Sequence, residues 1–594
     1  RAPLMDLEEY TTYLHRDVDR LSPQDGRELL RRLGVKGKDE ELDRVVADWD
    51  GHALTLSLLA SYLRDHHGGN ISHINNIPPP TADEHPYKRV HRVLRRYDEH
   101  LTNEEKAFLK LFSIFRRPIG EEALDQVFRS RAEDGQEGNP LNASIAQLED
   151  VQFRTMVERL VAYRILRLET DSGQYTVHPL VRAHYSELLT SEEAEEAHRL
   201  AKDYYLAEAQ DMPDSPSLEE LSPLIEAVHH TCHHGSYDEA YTIHRKRIRQ
   251  ITKFYITKRL GAWATELEIM REFFPQGDIS GETVTIGTGS KSWILNEVGI
   301  CLGNSGQGDR AEELYQRGLM IDLDSQDWTN ATISYINLSE IYSLQCKLHQ
   351  SAEAADDALK LARREQNEFL ECESLSHKAN ILNLSGEMAE AGSAFRKAEE
   401  LQKEIDSSIL YLYSQRGIQH ADNLNHMGDV DYARKVTEAN LEICERNRWP
   451  DDISRCHRVL GDICTNSGQE GEAAKHYRES MDMARSISNK LVLIEALLAR
   501  GRWEARRQHD QDAAFSDLNE ALEYARAGGY RIYEADIRVA LAWAHLAAGN
   551  EKSAREEAEY AWHMSEEMSY HWGKVDADEV LSALNGALDQ RMES

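Results

Sequence analysis

The sequence predicts a mostly all-α protein whose C-terminal half is an α-solenoid of stacked helical hairpins. Two observations predict it. First, a turn residue followed five positions later by alanine returns along the chain. The pairs are Gly306 and Ala311, Lys347 and Ala352, Gly386 and Ala391, Gly428 and Ala433, Gly468 and Ala473, Gln508 and Ala513, and Gly549 and Ala554. Successive alanines stand 41, 39, 42, 40, 40 and 41 residues apart, and a fixed period of this size marks an array in which each repeat buries its apolar face on its neighbours. Second, a small residue stands twelve positions before most of these alanines, at Gly299, Ala379, Ala421, Gly461, Gly501 and Ala542, with Glu340 as the exception. Small residues at both places let two antiparallel helices approach closely, and a larger side chain there costs about 1–3 kcal/mol through overpacking.

The elements upstream follow in order. Ser22-Pro23-Gln24-Asp25 is a helix start, with Ser as N-cap, Pro in the first turn and acid near the positive end of the dipole. Leu29, Leu30 and Leu33 follow and Gly34 closes the helix. Leu42, Val45, Val46 and Trp49 make a second apolar stripe, and Gly51-His52-Ala53-Leu54 opens a third helix through Leu56, Leu59 and Leu63. Residues 1–65 are therefore expected to form a helical arm, and 66–87, with Pro78-Pro79-Pro80, a connector. Thr102 and Glu105 form a capping box ahead of Phe108, Leu111, Phe112 and Phe115. Further helices are expected near 121–128 and 146–163, with a loop over 129–142. The strands Ile165–Leu168 and Tyr175–Val177 follow, joined by a turn at Asp171-Ser-Gly173. Three helices and a two-stranded wing predict a winged-helix domain over 88–190. Less regular helical hairpins are expected over 191–290, and about seven repeats over 291–594. Rings four residues after the anchor, Tyr315, Phe395 and Tyr477, are expected to fill the gap against the next hairpin.

Charge bounds the partners. The net charge is −35, with 26 Lys and Arg against 32 Asp and Glu in residues 1–190 and 43 against 72 in the rest, so the acid lies on the repeats. Such a surface disfavours nonspecific binding to nucleic acid or to anionic membrane and favours a basic protein face or peptide, or serves only solubility. No run of about 18 apolar residues exists to span a membrane, and no signal peptide is present at the N-terminus. The chain begins at Arg1 without an initiator Met, as expected of a fragment or processed form. Seven cysteines at irregular spacing fit a reduced, cytoplasmic compartment.

Two local patterns invite chemistry. Gly287-Thr-Gly-Ser-Lys291-Ser292 lacks the Gly that a phosphate-binding loop places before its Lys, and is expected to be a loop between helices. His229, His230, Cys232, His233 and His234 are crowded on one helix end, where neighbours point in different directions; a zinc site would need ligands from elsewhere, and no metal is expected. No nucleophile, base and orienter stand at recognisable spacing, so the chain itself is not expected to be an enzyme.

The hairpin pattern of small residue, twelve positions, Ala, four positions, aromatic resembles the tetratricopeptide repeat over roughly 290–594, although about 34 residues is usual for that family. The upstream part resembles the arm of the STAND nucleotide-switch ATPases, the NB-ARC proteins, in a bacterial form. Leu21-Ser-Pro-Gln-Asp-Gly26, Gly51-His52-Ala53-Leu54 and Tyr175-Thr-Val-His178-Pro-Leu-Val-Arg182 carry this resemblance. It implies that Gly51-His52-Ala53 takes the place of a Gly-x-Pro segment packed on adenine, with Ala53 in place of Pro. It implies that His178 touches the β-phosphate of ADP, as the His of a Met-His-Asp motif does; here Val177 and Pro179 replace Met and Asp. It also implies that Arg1 is a sensor arginine facing the γ-phosphate. No Walker A lysine and no acidic Mg²⁺ strand are present, so an upstream nucleotide-binding domain is implied, with ADP or ATP and Mg²⁺ as cofactors of the full-length protein and none for these residues alone. The implied function is the regulatory and sensor part of a signalling ATPase. A protein or peptide inducer would bind the repeat array, and the active form would oligomerise. The alternatives are a stand-alone repeat scaffold, or a transcription activator with its DNA-binding module upstream. The winged helix is expected to be a lever, because Arg154, Arg159 and Arg164 are diluted by Glu149, Asp150 and Glu158.

Overall fold

The structure is a computed structural model that describes residues 20–77, 86–130, 141–251, 253–284, 287–507 and 510–593. It divides into two compact units, one of Arg1–Met212 with Glu226–Ser236 and one of Pro213–Ile225 with Tyr237–Ser594. Among the described residues, no helix is long and apolar enough to cross a membrane.

In the first unit the helices Pro23–Arg32, Asp39–Asp48 and Ala53–His67 form where capping and stripes place them. The Ser22 side chain accepts from the Asp25 N–H, and Leu30, Leu42, Val46 and Trp49 are buried. The stretch expected as a connector is partly core: Ile71 and Ile77 bracket the turn Ile71–Asn76 and both are buried. Pro78-Pro79-Pro80 lies outside the described residues, as does most of the 129–142 insert. The capping box of Thr102 and Glu105 starts the helix Asn103–Phe112. A short helical stretch over 121–128 and the helix Asp150–Ala162 follow. The strands Leu166–Glu169 and Gln174–Val177 pair antiparallel with Leu166 opposite Val177, and Ile119 adds a bridge to Tyr175. The turn needs Gly173, which has φ +68°. One hydrophobic core runs from Leu30 through Phe108 and Phe128 to Tyr205, so the expected arm and the following three-helix-and-hairpin region are packed as one body.

The second unit is an α-solenoid of tetratricopeptide-like hairpins. Its seven hairpins are Thr288–Asn304 with Gly308–Ser325, Trp328–Leu344 with Leu348–Arg364, Glu368–Leu384 with Met388–Ile405, Ser414–His426 with Val430–Asn447, Pro450–Asn466 with Glu470–Ser486, Lys490–Arg507 with Gln511–Ala527, and Arg531–Ala547 with Glu551–Glu567; the helix His571–Glu593 follows. Lys291 and Ser292, expected in a loop, lie in the first turns of the helix Thr288–Asn304, whose N-cap is Gly287. The first helices of successive hairpins touch one another, and each second helix touches the first helix that follows it. The first helices therefore form the inner wall of the solenoid. The array returns on itself: hairpin one meets hairpin six through Gly308 and Gly528, and Trp572 Nε1 donates to the Asn383 carbonyl of hairpin three.

Ala311, Ala391, Ala433, Ala473 and Ala554 are fully buried. A Cβ at Gly299 would lie 2.5 Å from the Tyr315 ring, and one at Gly461 would lie 2.5 Å from the Tyr477 ring. The rings thus sit over the small residue of their own hairpin. They also reach the next hairpin: Phe395 stacks on His420 and Tyr477 packs on Trp503. Two anchors shift by one residue. Ala352 is only half-buried and Ser351 takes the packed position, because the left-handed turn residue is Cys346, five positions earlier. Ser351 exchanges hydrogen bonds with the backbone and hydroxyl of Ser339, so the small residue twelve positions upstream is Ser339 and Glu340 breaks nothing. Likewise Ala513 is half-buried and Ala514 is buried, with Gly501 against Leu518.

Candidate functional site

The motifs of the first unit converge. Gly51 has φ +63°, and a Cβ there would lie 2.5 Å from the Leu21 carbonyl oxygen. The Leu21 N–H donates to the Gly51 carbonyl at 3.0 Å, so the segments beginning at Leu21 and Gly51 are one backbone-paired corner that only glycine allows. Ala53 opens the next helix and is exposed. His52 caps that helix through Nδ1, 2.6 Å from the Thr55 hydroxyl. His178 caps the helix Pro179–Ser186 in the same manner, its Nδ1 accepting from the Leu180 N–H at 3.2 Å. An accepting Nδ1 leaves the proton of the neutral ring on Nε2. Burial, then Arg167, then His52 lower the His178 pKa to about 4, so the ring is neutral at physiological pH and His52 stands within electrostatic reach. His52 is thus brought within electrostatic reach of His178, far from it in sequence.

Beside it runs an open groove of ≈ 810 Å³, lined among others by Ser57, Arg64, Asp65, Arg164 and Arg167. Arg64 pairs with Asp65 and donates to the Ala162 carbonyl at 2.9 Å. Arg164 is held at φ +61°, a backbone state unusual outside glycine, at the turn into the hairpin. Arg64 and Arg167 escaped the sequence reading because they lie about a hundred residues apart and belong to no motif; only folding sets them on one groove. Arg1 lies outside the described residues. The helix Asp150–Ala162 offers little free basic surface: Arg159 pairs with the fully buried Glu105, and Arg154 with Glu121.

The array carries a second candidate surface. Polar side chains at equivalent places on successive first helices bond to one another. Asn337 donates to Asn296, Asn466 to Asn425, Arg455 to Glu495 and Arg502 to Asp462. Arg458 reaches Asp422 at 2.7 Å, and Tyr533 donates to Glu495. The forty-residue period thus places not only small packing residues but a ladder of alternating donors and acceptors along the inner wall. Asp536 lies on the same wall beside Asp576, Arg502 and the Tyr570 hydroxyl; burial, then the Asp576 charge, push its carboxyl up to about 7.

Metal-ligating side chains gather in each unit. The histidine-rich helix end gains a partner that its own sequence lacked: His198, from the helix Ser191–Glu208, brings Nδ1 to 2.8 Å from His230 Nδ1, with His229 adjoining. In the array, His457, His476 and Glu479 converge. All seven cysteines are buried, and none forms a disulfide.

No family model matches the chain, and no curated protein matches it in sequence. Among solved structures, a STAND protein with a tetratricopeptide repeat sensor from Pyrococcus horikoshii aligns at TM-score 0.37 and 14% identity, over 97% of this chain and 74% of that one. A Rap protein complexed with competence and sporulation factor aligns at TM-score 0.41 and 12% identity, over 64% and 94%. A tetratricopeptide repeat protein from Parabacteroides merdae aligns at TM-score 0.29 and 15% identity, over 50% and 99%. With identities and scores of this size, the function proposed below rests on this chain's own residues.

Proposed function

We propose that the chain is the regulatory and sensor part of a nucleotide-switch signalling protein. In this reading the three helices and hairpin from Asn103 to Val177 are a winged-helix lever, the corner at Gly51 and His178 faces a nucleotide held by an upstream domain, and the array receives a protein or peptide inducer. The observation that carries the reading is the convergence of Gly51, His52 and a neutral His178 beside Arg167 and the arginine-lined groove. The donor set fits a phosphate: His178 keeps an N–H on Nε2, and Arg64, Arg164 and Arg167 bring positive charge. His178 would hold the β-phosphate, and Gly51-His52-Ala53 would lie under the base. When bound, ADP or ATP with Mg²⁺ supplies the charge that the corner senses. His178, neutral when empty, gains protons more readily beside that charge.

The inner-wall ladder is internally paired, so an inducer gains affinity only where it replaces those bonds or favours an arrangement that exposes them. Acidic excess on the repeats favours an inducer with basic groups.

The test is the ADP release rate of the protein carrying its nucleotide-binding domain. His178→Ala should speed release at least tenfold, and Arg167→Ala should speed it less. Unchanged release in both variants would leave the corner a structural joint and favour the stand-alone repeat scaffold, as would the absence of a Walker A motif in frame upstream of Arg1.

A further inference from the structure

We propose that His457, His476 and Glu479 form a binding site for one divalent metal ion of the Zn²⁺ class within the fifth hairpin of the array. His457 lies on the first helix of that hairpin, Pro450–Asn466, and His476 and Glu479 lie three residues apart on the second, Glu470–Ser486. That spacing sets both on one helical face.

The geometry is that of a coordination sphere. His457 Nδ1 is 3.0 Å from His476 Nδ1 and 3.1 Å from Glu479 Oε2, and His476 Nδ1 is 3.7 Å from the same oxygen. Three ligand atoms at these separations have a common point, ~0.8 Å off their plane, about 2.1 Å from each, which is the bond length of Zn²⁺ to imidazole nitrogen and carboxylate oxygen. Hydrogen bonding alone serves the trio poorly. One proton can lie between the two ring nitrogens or point at the carboxylate, and the remaining lone pairs then face each other. A divalent cation engages all three at once. The carboxylate offsets one of its charges, and two nitrogen ligands select the zinc class over Mg²⁺ or Ca²⁺. The side chain of Glu479 is 40% exposed and those of the histidines 13% and 16%, so the site opens to solvent at the carboxylate, where water can complete the sphere. The group of His198, His229 and His230 lacks a carboxylate, so the two groups differ in what they offer a cation.

Bound metal would tie the two helices of this hairpin together. The test uses the whole chain, stripped with a chelator and titrated with Zn²⁺ by calorimetry and with Co²⁺ by visible absorption. The expected result is one site whose affinity falls at least tenfold in His476→Ala and in Glu479→Gln, and stays within twofold in His198→Ala. Circular dichroism reports whether each variant keeps its helices, and Glu479→Gln, which preserves shape, decides if His476→Ala unfolds. No Zn²⁺ binding below 100 µM, or affinity lost in His198→Ala and kept in Glu479→Gln, overturns the proposal.

Discussion

The array and the first unit are both built of helices, yet they store their stability in opposite ways. In the array each hairpin closes over its own small residues and leans on its neighbours, so the same contact recurs as Gly299 with Tyr315 and Gly461 with Tyr477. In the first unit a single core links Leu30 to Phe108 and Tyr205, and its contacts occur once. Damage should therefore stay local in one region and spread in the other. The largest test is Phe108→Ala. Phe108 is fully buried, 4.6 Å from Phe128 between ring centroids, and truncating such a ring costs about 3–5 kcal/mol. We expect hydrogen exchange to speed up throughout the first unit, including Pro23–His67. Full protection retained over those early helices would divide the core in two and break the comparison.

The counterpart in the array is Gly461→Ala. The added methyl would lie 2.5 Å from the Tyr477 ring, and overpacking of this kind costs about 1–3 kcal/mol. The loss should appear as faster exchange in Pro450–Ser486 and the hairpins on either side, with the first unit unchanged, because a repeat array is coupled mainly through nearest neighbours. Uniform loss across all seven hairpins would mean that the closure of the array on itself, through contacts such as Gly308 with Gly528, makes it one cooperative body.

The same contrast governs what could be read from the sequence. A period is written many times, so a single irregular repeat cannot hide it, and the hairpins of the array were legible from it. The two shifted anchors, Ala352 and Ala513, fell where the turn carries no glycine: Cys346 takes the left-handed conformation itself, and a small neighbour, Ser351 in one case and Ala514 in the other, made a one-residue slip invisible. The corner of the first unit was half legible. Gly51, His52 and His178 stand in short segments that announce a turn or a helix start, whereas Arg64 and Arg167 become neighbours only through the strand pairing of Leu166–Glu169 with Gln174–Val177 and its packing. His198 beside His230, and His457 beside His476, were illegible for the same reason: each pair joins two helices, and nothing in either helix names its partner.

Electrostatics on the inner wall sharpens the comparison further. In the folded chain Asp536 keeps its proton up to about pH 7, whereas an unfolded aspartic acid loses it near ~3.9. The folded state therefore binds more protons between these values, and this group's contribution to stability falls as pH rises from about 4 to about 7 and is flat above. Asp536→Asn should raise the array's stability at pH 8 by about 1–3 kcal/mol, less than the full shift implies because the side chain keeps some solvent contact, and should change little at pH 4. The readout is Tm at the two pH values. Equal effects at both would place the cause in packing and not in the charge.

The smallest effect bears on the register of hairpin two. Ala352 stands half-exposed, so Ala352→Gln should change stability by no more than about 0.5 kcal/mol. Ser351 is fully buried with its hydroxyl 2.6 Å from the Ser339 carbonyl, so Ser351→Gln inserts a longer polar side chain where two helices touch and should cost several times more. The two substitutions add the same chemistry one position apart, so their difference in denaturant midpoint reads which residue faces the partner helix. A larger loss at Ala352 would return the anchor to the position five residues after Lys347 and make Glu340 a true exception. The larger loss at Ser351 that we expect makes Cys346 the turn residue, and shows that the repeat tolerates a non-glycine turn provided that the small residues beneath it stay in step.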